Sequence, residues 1–435
     1  MLLPLHQSRA VTTKDLTTDQ RTSAPQHAST LIKVMHIIND LSIGGAEMML
    51  YKLLAETDRD RFEPVVISLI DRGALRQRIE ELGIAVHTTR MEPGLPSPLG
   101  LWRLVRLMRR LKPDLVLGWM YHSCLAAQLA NFFLPRRVPV LWSIHYSITS
   151  LASEKKLTAA VIRVCALLSK LAAHVIFVSR LSQAQHKALG YRLDNSSVIP
   201  NGINVAEFVP SVEARSSVRS ELGLAEDALL IGLMGRYHPM KDHANFLQAA
   251  ALISKKHPQT HFLLIGPGVD HENAVLRRSI EEMGLARQTH LLGERNDVAR
   301  LAAALDVFSL SSYGESFPNV IGEAMACEVS SVVTNVGDAV WIVGDAGRVV
   351  PPRDPRSLAN AWEEMIDIGP TGRLTLGRAA RARVIERFTL ESVVARYDSL
   401  YETVLAKEVP ENFGLRTPAL VSITNLNATF DDPAV

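Results

Sequence analysis

The sequence predicts an α/β fold made of two successive Rossmann-like domains. In both halves of the 435-residue chain, short apolar runs rich in β-branched residues alternate with segments of helical periodicity. Strands that are apolar almost throughout are typical of parallel sheets covered by helices on both faces. A chain of this length has room for two such domains, each with its own core.

The first half begins after a polar leader, residues 1–30, whose Ser, Thr and Gln content predicts disorder. From residue 31 the alternation is regular, and it predicts a parallel sheet that continues to residue 199. The predicted strands are 34–38, 65–70, 85–88, 114–118, 138–142 and 175–178, and the predicted helices are 46–56, 74–82, 99–111, 122–133, 155–172 and 181–189.

The second half repeats the pattern. It follows a Pro-Asn-Gly turn at 200–202 and a polar stretch, 204–226, that is expected to be irregular. The predicted strands are 229–234, 262–265, 290–292, 307–310 and 332–334, and the predicted helices are 243–256, 272–283, 296–304, 319–328 and 355–367. Strong helical periodicity continues over 372–406, and a loose tail is expected over 407–435.

Composition excludes several classes of protein. The net charge of +2 gives no general case for a nucleic-acid partner. The three cysteines have no metal-ligand spacing, which favours a reducing cytosol. The apolar start is too short for a signal peptide, and no apolar run reaches the length of a membrane span. We therefore expect a cytoplasmic protein.

The stretch 311–326 carries the clearest chemistry. Gly314 permits a tight turn after a predicted strand, and Pro318 suits the first turn of the helix that follows. The free N–H groups at that helix start can bind an anion. Glu315 precedes the helix and Glu323 lies one turn inside it, and each carboxylate can accept hydrogen bonds from paired sugar hydroxyls. The stretch thus predicts a site for a sugar nucleotide.

This pattern, with Phe-Pro after the first Glu and Ala-Met-Ala after the second, resembles the signature of family 4 retaining glycosyltransferases, found in bacterial surface-polysaccharide synthesis. The resemblance implies the GT-B fold, in which two Rossmann-like domains face each other across a cleft and the last helix crosses back. By this resemblance the Pro-Asn-Gly hinge separates an acceptor domain at 31–199 from a nucleotide-sugar domain at 200–375, with helices over 376–406 returning to the N-terminal domain.

The resemblance also implies the reaction. A hexose moves from a nucleoside diphosphate sugar, UDP-sugar favoured and GDP-mannose possible, to a glycan or lipid-linked acceptor. By the resemblance, the configuration of the transferred sugar is retained. No metal or cofactor is expected, because cationic side chains hold the diphosphate. Arg236 offers a forked donor after a strand and Lys241 a point charge. Asp242, where the family more usually has Gly, is expected to cap the next helix.

The remaining site residues follow from the same resemblance. His145, at the carboxyl end of a predicted strand, is expected to contact the transferred sugar. Glu315 is assigned to the sugar hydroxyls and Glu323 to the ribose. The predicted catalytic residues are His145, Arg236, Lys241 and Glu315, and the predicted donor-binding residues are Gly44, Gly45, Arg236, Lys241, Arg295, Glu315, Ser316, Phe317, Asn319, Val320 and Glu323.

Three alternative functions and one metal-binding motif have less support from the sequence. A dehydrogenase is disfavoured, since the first strand lacks GxGxxG and no acidic residue ends the second. A sugar-nucleotide epimerase on the same fold would need acid and base residues that cannot be assigned. A non-catalytic partner subunit would not need the complete set of charged site residues, which are Arg236, Lys241, Glu315 and Glu323. Asp58 and Asp60 spell a DxD, but the pair precedes a strand, away from the expected phosphate contacts.

Two basic amphipathic helices in the first half, 102–112 and 155–171, are of a kind that lies on anionic membrane surfaces, which is one interpretation of them. The other interpretation, helices packed on the sheet with a solvated basic face, stays open from the sequence.

Overall fold

The computed structural model describes residues 31–92, 97–148 and 150–408, so the predicted leader and most of the predicted tail lie outside the described residues. It contains two parallel sheets, of seven and six strands, each covered by helices. The predicted α/β class with two Rossmann-like domains is confirmed.

The N-terminal sheet has the order β3-β2-β1-β4-β5-β6-β7, and all its pairings are parallel. The chain therefore starts in the middle of the sheet and winds outward in both directions. Its strands are β1 Ile32–Ile38, β2 Phe62–Ser68, β3 Val86–Thr88, β4 Leu115–Trp119, β5 Val140–Ile144, β6 His174–Phe177 and β7 Ser196–Val198.

Helices cover both faces of this sheet. One buried cluster joins the first helices to one face, and a second cluster joins the next helices to the other. The helices are α1 Gly45–Ala55, α2 Leu75–Glu81, α3 Pro98–Leu111, α4 Met120–Asn131, α5 Lys156–Leu168 and α6 Arg180–Ala188. Helices α3 and α5 both pack against α4, so the two basic helices flank it on one side of the domain.

The C-terminal sheet repeats this topology in the order β10-β9-β8-β11-β12-β13. Its strands are β8 Leu229–Met234, β9 Thr260–Ile265, β10 Thr289–Leu291, β11 Val307–Leu310, β12 Ser330–Thr334 and β13 Gly347–Val350. Its helices are α7 Val212–Leu222, α8 His243–Lys256, α9 Ala274–Glu282, α10 Val298–Ala303, α11 Asn319–Ala326, α12 Ala339–Val343, α13 Pro355–Asp367 and α14 Gly369–Arg387.

The expectation that 204–226 is irregular was wrong, because the stretch contains α7. Ser211 caps this helix by accepting a hydrogen bond from an N–H in its first turn. Its inner face includes Arg219, which is fully buried and lies 2.7 Å from the Asp306 carboxylate. A charged residue on the buried face hides the apolar periodicity by which an amphipathic helix is recognised.

The last helix, α15 Leu390–Glu408, crosses back onto the N-terminal domain as the fold requires. The preceding helix α14 packs against the C-terminal sheet, so the crossing starts at Leu390 rather than at residue 376. The two connections between the domains run side by side. Ile203 N–H donates to Phe388 O at 2.8 Å, and Leu390 N–H donates to Ile203 O at 2.9 Å.

None of the helices in the described residues is both long and apolar enough to cross a membrane.

Four buried histidines make the fold sensitive to acid. Burial lowers the pKa of His36 to about 3 and that of the other three to about 4. Histidines in the unfolded chain have a pKa of about 6.5, so protons bind the unfolded chain first as the pH falls. The stability that the neutral rings maintain is complete above that pH and is lost towards pH 4. These residues are His36, His174, His186 and His243.

We expect the free energy of unfolding to fall by about 1 kcal/mol per buried histidine between about pH 7 and pH 5.5, against a typical total of about 5–15 kcal/mol. Burial raises the pKa of Asp338 and Asp398 to about 6, and the protons they take up offset part of this loss. Urea unfolding at pH 7 and at pH 5.5 measures the net change in the free energy of unfolding. A midpoint that is unchanged or higher at pH 5.5 would contradict the prediction.

His243 provides a matched test. Neither of its ring nitrogens has a hydrogen-bond partner among the described residues, so His243→Phe removes a proton-binding group without removing a hydrogen bond. This variant should lose about 1 kcal/mol less than the parent over the same pH interval. His271→Phe, at an exposed position, is the matched control for replacing a histidine by phenylalanine.

Candidate active site

The predicted site residues collect where the carboxyl ends of the strands of both sheets meet. His145 follows β5 directly and Gly44 lies in the loop after β1. Arg236 follows β8, and the loop 311–316 follows β11. Contacts join the two edges, among them Lys52 Nζ to Glu323 Oε1 at 3.8 Å. Ligands of open α/β sheets bind at such edges.

An ion pair lies at the centre of the C-terminal edge. Lys241 Nζ lies 2.6 Å from Glu315 Oε1, and Ser312 Oγ donates to the same oxygen at 2.7 Å. The Lys241 and Glu315 side chains are mostly buried, at 22% and 12% exposure. Asp242, next along the chain, caps α8 by accepting from Asn245 N–H at 3.2 Å, as predicted. Its φ of 50° is a value that glycine adopts more easily, which agrees with the family's usual residue.

The loop that carries Glu315 is held by backbone contacts. Tyr313 N–H donates to Met240 O at 2.9 Å, and Ser311 Oγ donates to the carbonyl of Lys241 at 2.8 Å. Gly337 packs against the other side of the loop with φ 55°, where a Cβ would lie 2.6 Å from Ser316 O. Both the cation and the carboxylate are therefore fixed on ordered backbone.

Arg236 presents a second cation nearby on the same edge. Its side chain is exposed, and within the described part of the chain its guanidinium forms no ion pair or hydrogen bond. The backbone beneath it is tightly packed. Gly266, at φ 146°, approaches so closely that a Cβ would lie 2.9 Å from Arg236 N. The arrangement gives a fixed main chain with a side chain that is available to an anion.

Helix α11 supplies N–H groups beside these cations. Pro318 occupies the N-cap position rather than the first turn, and no side chain in the described residues caps the helix. The ring of Phe317 is buried in the domain core, with its centroid 5.8 Å from that of Phe388. Val320 also packs against that core. Of these predicted residues, Phe317 and Val320 can contribute backbone groups only.

Glu323 lies one turn inside α11 and is largely buried. Burial raises the pKa of its carboxyl, and the Lys52 ammonium acts to lower it. Lys52 belongs to α1 in the other domain, and the sequence offered no motif that would single it out. Each of the two predicted glutamates is thus paired with a lysine.

His145 lies across the cleft in the N-terminal domain. Its Nε2 lies 2.8 Å from Ser143 Oγ, and its ring stacks on Trp119 with the centroids 5.0 Å apart. Burial lowers the pKa of His145 to about 4, and the neighbouring Asn201 side chain acts to raise it. The imidazole is therefore neutral at physiological pH, which suits a hydrogen bond to a sugar hydroxyl better than charge stabilisation.

Asn201 joins the two domains at the predicted hinge. Its Nδ2 donates to Asn319 Oδ1 at 2.8 Å, at the start of α11, and its side chain also neighbours His145. Sequence analysis assigned the Pro-Asn-Gly segment to the turn and missed this contact. The signal that could have revealed it is an amide side chain in a segment that must lie between the domains.

Gly44 and Gly45 start α1 without a side-chain cap. A Cβ on Gly44 would lie 2.3 Å from Glu47 Oε2, whereas a Cβ on Gly45 would meet no atom within 4 Å. The open space over Gly45 is compatible with the predicted approach of a ligand to this turn.

Arg295 is held in ion pairs, and the Asp58–Asp60 pair lies away from the site. Arg295 Nε donates to Asp297 at 2.8 Å, and its Nη1 lies 2.9 Å from Glu221 on α7. Its guanidinium therefore ties the β10 turn to α7, and its predicted role in donor binding stays a prediction. Asp58 and Asp60 lie between α1 and β2, at the opposite edge of the sheet from the site.

Known protein families and solved structures resemble both halves of the chain. The family model described as Glycosyltransferase Family 4 matches residues 43–207, and the one described as Glycosyl transferases group 1 matches residues 228–367. HepE of Anabaena, solved with UDP and with UDP-glucose, superimposes with TM-scores of 0.76 and 0.74 at 25% identity, over 86% of this chain and 100% of that one. Sucrose-phosphate synthase of Thermosynechococcus elongatus shares the fold, with a TM-score of 0.72 and 21% identity over 86% of this chain and 100% of that one.

Among curated relatives, the Escherichia coli UDP-Gal:alpha-D-GlcNAc-diphosphoundecaprenol alpha-1,3-galactosyltransferase is 27% identical over 47% of this chain and 53% of its own length. Bacillus subtilis EpsF, a putative glycosyltransferase by name, is 28% identical over 54% of each chain. The chain spans about half the length of the curated relatives it matches. With one family model on each domain, and with the fold and the paired glutamates in place, the chain belongs to the family 4 glycosyltransferases of the GT-B fold.

Proposed function

We propose that the protein transfers a hexose from a nucleoside diphosphate sugar, with a UDP-sugar favoured, to a glycan or lipid-linked acceptor in polysaccharide synthesis. The observation that carries the proposal is the Lys241–Glu315 pair, held at 2.6 Å beside Arg236 and the start of α11. The site combines diphosphate-binding cations with diol-binding carboxylates. Structures of HepE with UDP and UDP-glucose support the choice of donor.

In the proposed reaction, negative charge collects on the departing diphosphate. Arg236, Lys241 and the N–H groups at the start of α11 stabilise it, because fixed donors aimed at developing charge need little reorganisation. Glu315 orients hydroxyls of the sugar, and Glu323 holds the ribose hydroxyls. Neutral His145 contacts the transferred sugar from the other side of the cleft.

The proposed stereochemistry is retention. The bond between the anomeric carbon and the diphosphate oxygen breaks, and the acceptor oxygen bonds to that carbon from the same face. The departing phosphate takes the acceptor's proton. Glu315 is the carboxylate assigned to the sugar, and its Oε1 is engaged by both Lys241 and Ser312, which makes it a poor covalent nucleophile. No metal or cofactor is needed in this proposal, because cationic side chains and amides take the phosphate charge.

One assay tests reaction, metal and stereochemistry together. With an α-linked UDP-sugar and acceptor in excess EDTA, we expect turnover close to that without EDTA, and NMR of the anomeric proton should show an α-linked product. A β-linked product would contradict retention, and strict metal dependence would contradict the cationic clamp. Conversion of the UDP-sugar into another sugar nucleotide without acceptor would contradict transfer itself.

We also propose peripheral contact with an anionic membrane on the cytoplasmic side. The helices α3 and α5 expose large apolar side chains, including Trp102 at 56% and Leu167 at 73% exposure. Arg106 lies over the Trp102 ring at 5.6 Å, so basic and apolar groups share one surface. Such surfaces bind anionic lipids through both charge and apolar burial.

Cosedimentation with liposomes tests this contact. The protein should bind vesicles that contain phosphatidylglycerol at low salt, and high salt should weaken the binding because the Debye length shortens. Trp102→Ala should weaken it further, whereas Val275→Ala, at an exposed position on α9, should not. Absence of binding at low salt would contradict the proposal.

A further inference from the structure

An apolar cavity of about 340 Å³ lies in the N-terminal domain, between α3, α4 and α5 and the loops after β1 and β2. None of the residues that line this cavity is a predicted donor-binding residue. Ten of its fourteen lining residues are apolar. They include Leu69, Leu101, Leu125, Ala126, Leu129 and Val161.

The lining determines the kind of ligand that fits. An apolar cavity of about 150 Å³ already binds benzene in a protein interior, and small-molecule sites begin near about 300 Å³. A sugar would bury hydroxyl groups against leucine and valine side chains without partners, which is costly. A hydrocarbon chain has no such groups, and its burial here is favourable.

The position of the cavity connects it with the catalytic edge. Asn39 follows β1 and His122 lies at the start of α4 after β4, and both residues line the cavity. Since β1 and β4 are neighbours, these two polar groups mark its end nearest the catalytic edge. The same edge holds the Gly44–Gly45 turn and His145. A chain bound in the cavity would have its polar end at the active site.

Basic side chains adjoin one wall of the cavity, where they are available to a phosphate. Leu157 and Val161 form part of the wall, and the exposed Lys155 and Lys156 directly precede Leu157 on the chain. Glu92 is an acidic lining residue, on the loop before α3. The helices α3 and α5 that form the wall are also those that expose apolar and basic groups.

We propose that this cavity binds the hydrocarbon chain of a lipid-phosphate-linked acceptor. The inference deepens the proposed function and rests on it: the acceptor hydroxyl belongs to a head group that is joined through phosphate to an isoprenoid or acyl chain. Binding of the chain in the N-terminal domain positions the head group at the cleft while the remainder of the lipid stays in the membrane.

Alkyl phosphates of increasing length provide the test, with butyl, octyl and dodecyl phosphate titrated calorimetrically below their aggregation concentrations. Affinity should rise by about fourfold per methylene until the cavity is filled. Ala126→Trp fills the cavity from α4 and should weaken dodecyl phosphate binding by about tenfold or more, flattening the dependence on chain length. Val275→Trp, on the exposed surface of α9, should change nothing.

Dodecyltrimethylammonium should bind less tightly than dodecyl phosphate, because the exposed Lys155 and Lys156 directly precede the wall residue Leu157. Equal or tighter binding of the ammonium compound would contradict the phosphate assignment. Leu129→Gln gives a second variant that adds a polar group to the wall without increasing its bulk. Affinity independent of chain length, or an unchanged series in both variants, would overturn the proposal. Titration with UDP separates this proposal from the proposed function. All variants should bind UDP as tightly as the parent does. A parent protein that binds alkyl phosphates but no nucleoside diphosphate would contradict the proposed function and not the cavity.

Discussion

Replacing Arg236 or Lys241 with alanine should lower kcat by about 10²–10³-fold while leaving the fold intact, because each removes a fixed donor from the charge that develops on the diphosphate. Lys241 is held on a 3₁₀ turn beside Glu315, and Arg236 rises from the closely packed β8 loop. Initial rates at saturating UDP-sugar measure the loss. Lys255→Ala, an exposed lysine on α8, is the matched control and should keep full activity.

The two variants should differ in how they combine with the loss of Glu315. Arg236 has no ion-pair partner among the described residues, so its effect should add to that of Glu315→Ala. Lys241 shares an ion pair with Glu315, and residues in contact are commonly non-additive. A double-mutant cycle should therefore show a larger coupling energy for Lys241 with Glu315. Near-parental turnover in both single variants would contradict the phosphate assignment.

The sequence predicts local structure best where pattern and capping agree. Strand β8 and helix α8 have the predicted bounds, since an apolar run and the Asp242 cap mark them clearly. Helix α7 was missed because a buried Arg219 interrupts the pattern that reveals an amphipathic helix. Its partner Asp306 is distant in the sequence, and no local rule identifies such a pair.

The same limit applies to the site. The motif residues Arg236, Lys241, Glu315 and Glu323 could be named in advance, but their partners could not. Ion pairs such as Lys52 with Glu323 form only when the domains face each other. The Asp338 carboxylate is another example, since it accepts from Arg180 N–H at 2.7 Å across the cleft. Side chains that contact another domain leave no periodic signal in their own segment.

The two glutamates should separate donor binding from transfer. Glu323→Ala should weaken UDP binding by about 10–100-fold, the usual effect of losing hydrogen bonds to a charged group, because Glu323 is assigned to the ribose. Glu315→Ala should leave UDP affinity nearly unchanged, since UDP lacks the hexose that this carboxylate orients. Its transfer rate should nevertheless fall by at least about 10²-fold. Loss of Glu315 leaves Lys241 without its ion-pair partner, so its ammonium remains available to the diphosphate.

Calorimetric titration with UDP, followed by rates with the UDP-sugar, distinguishes the two roles. Glu282→Ala, an exposed glutamate on α9, is the control and should match the parent in both measurements. Equal loss of UDP affinity in Glu315→Ala and Glu323→Ala would show that both carboxylates hold the nucleotide. Unchanged UDP affinity in Glu323→Ala would remove the ribose assignment. The ion pair with Lys52 would then be the remaining role of Glu323, because that contact joins α1 to α11 whether or not a nucleotide is bound.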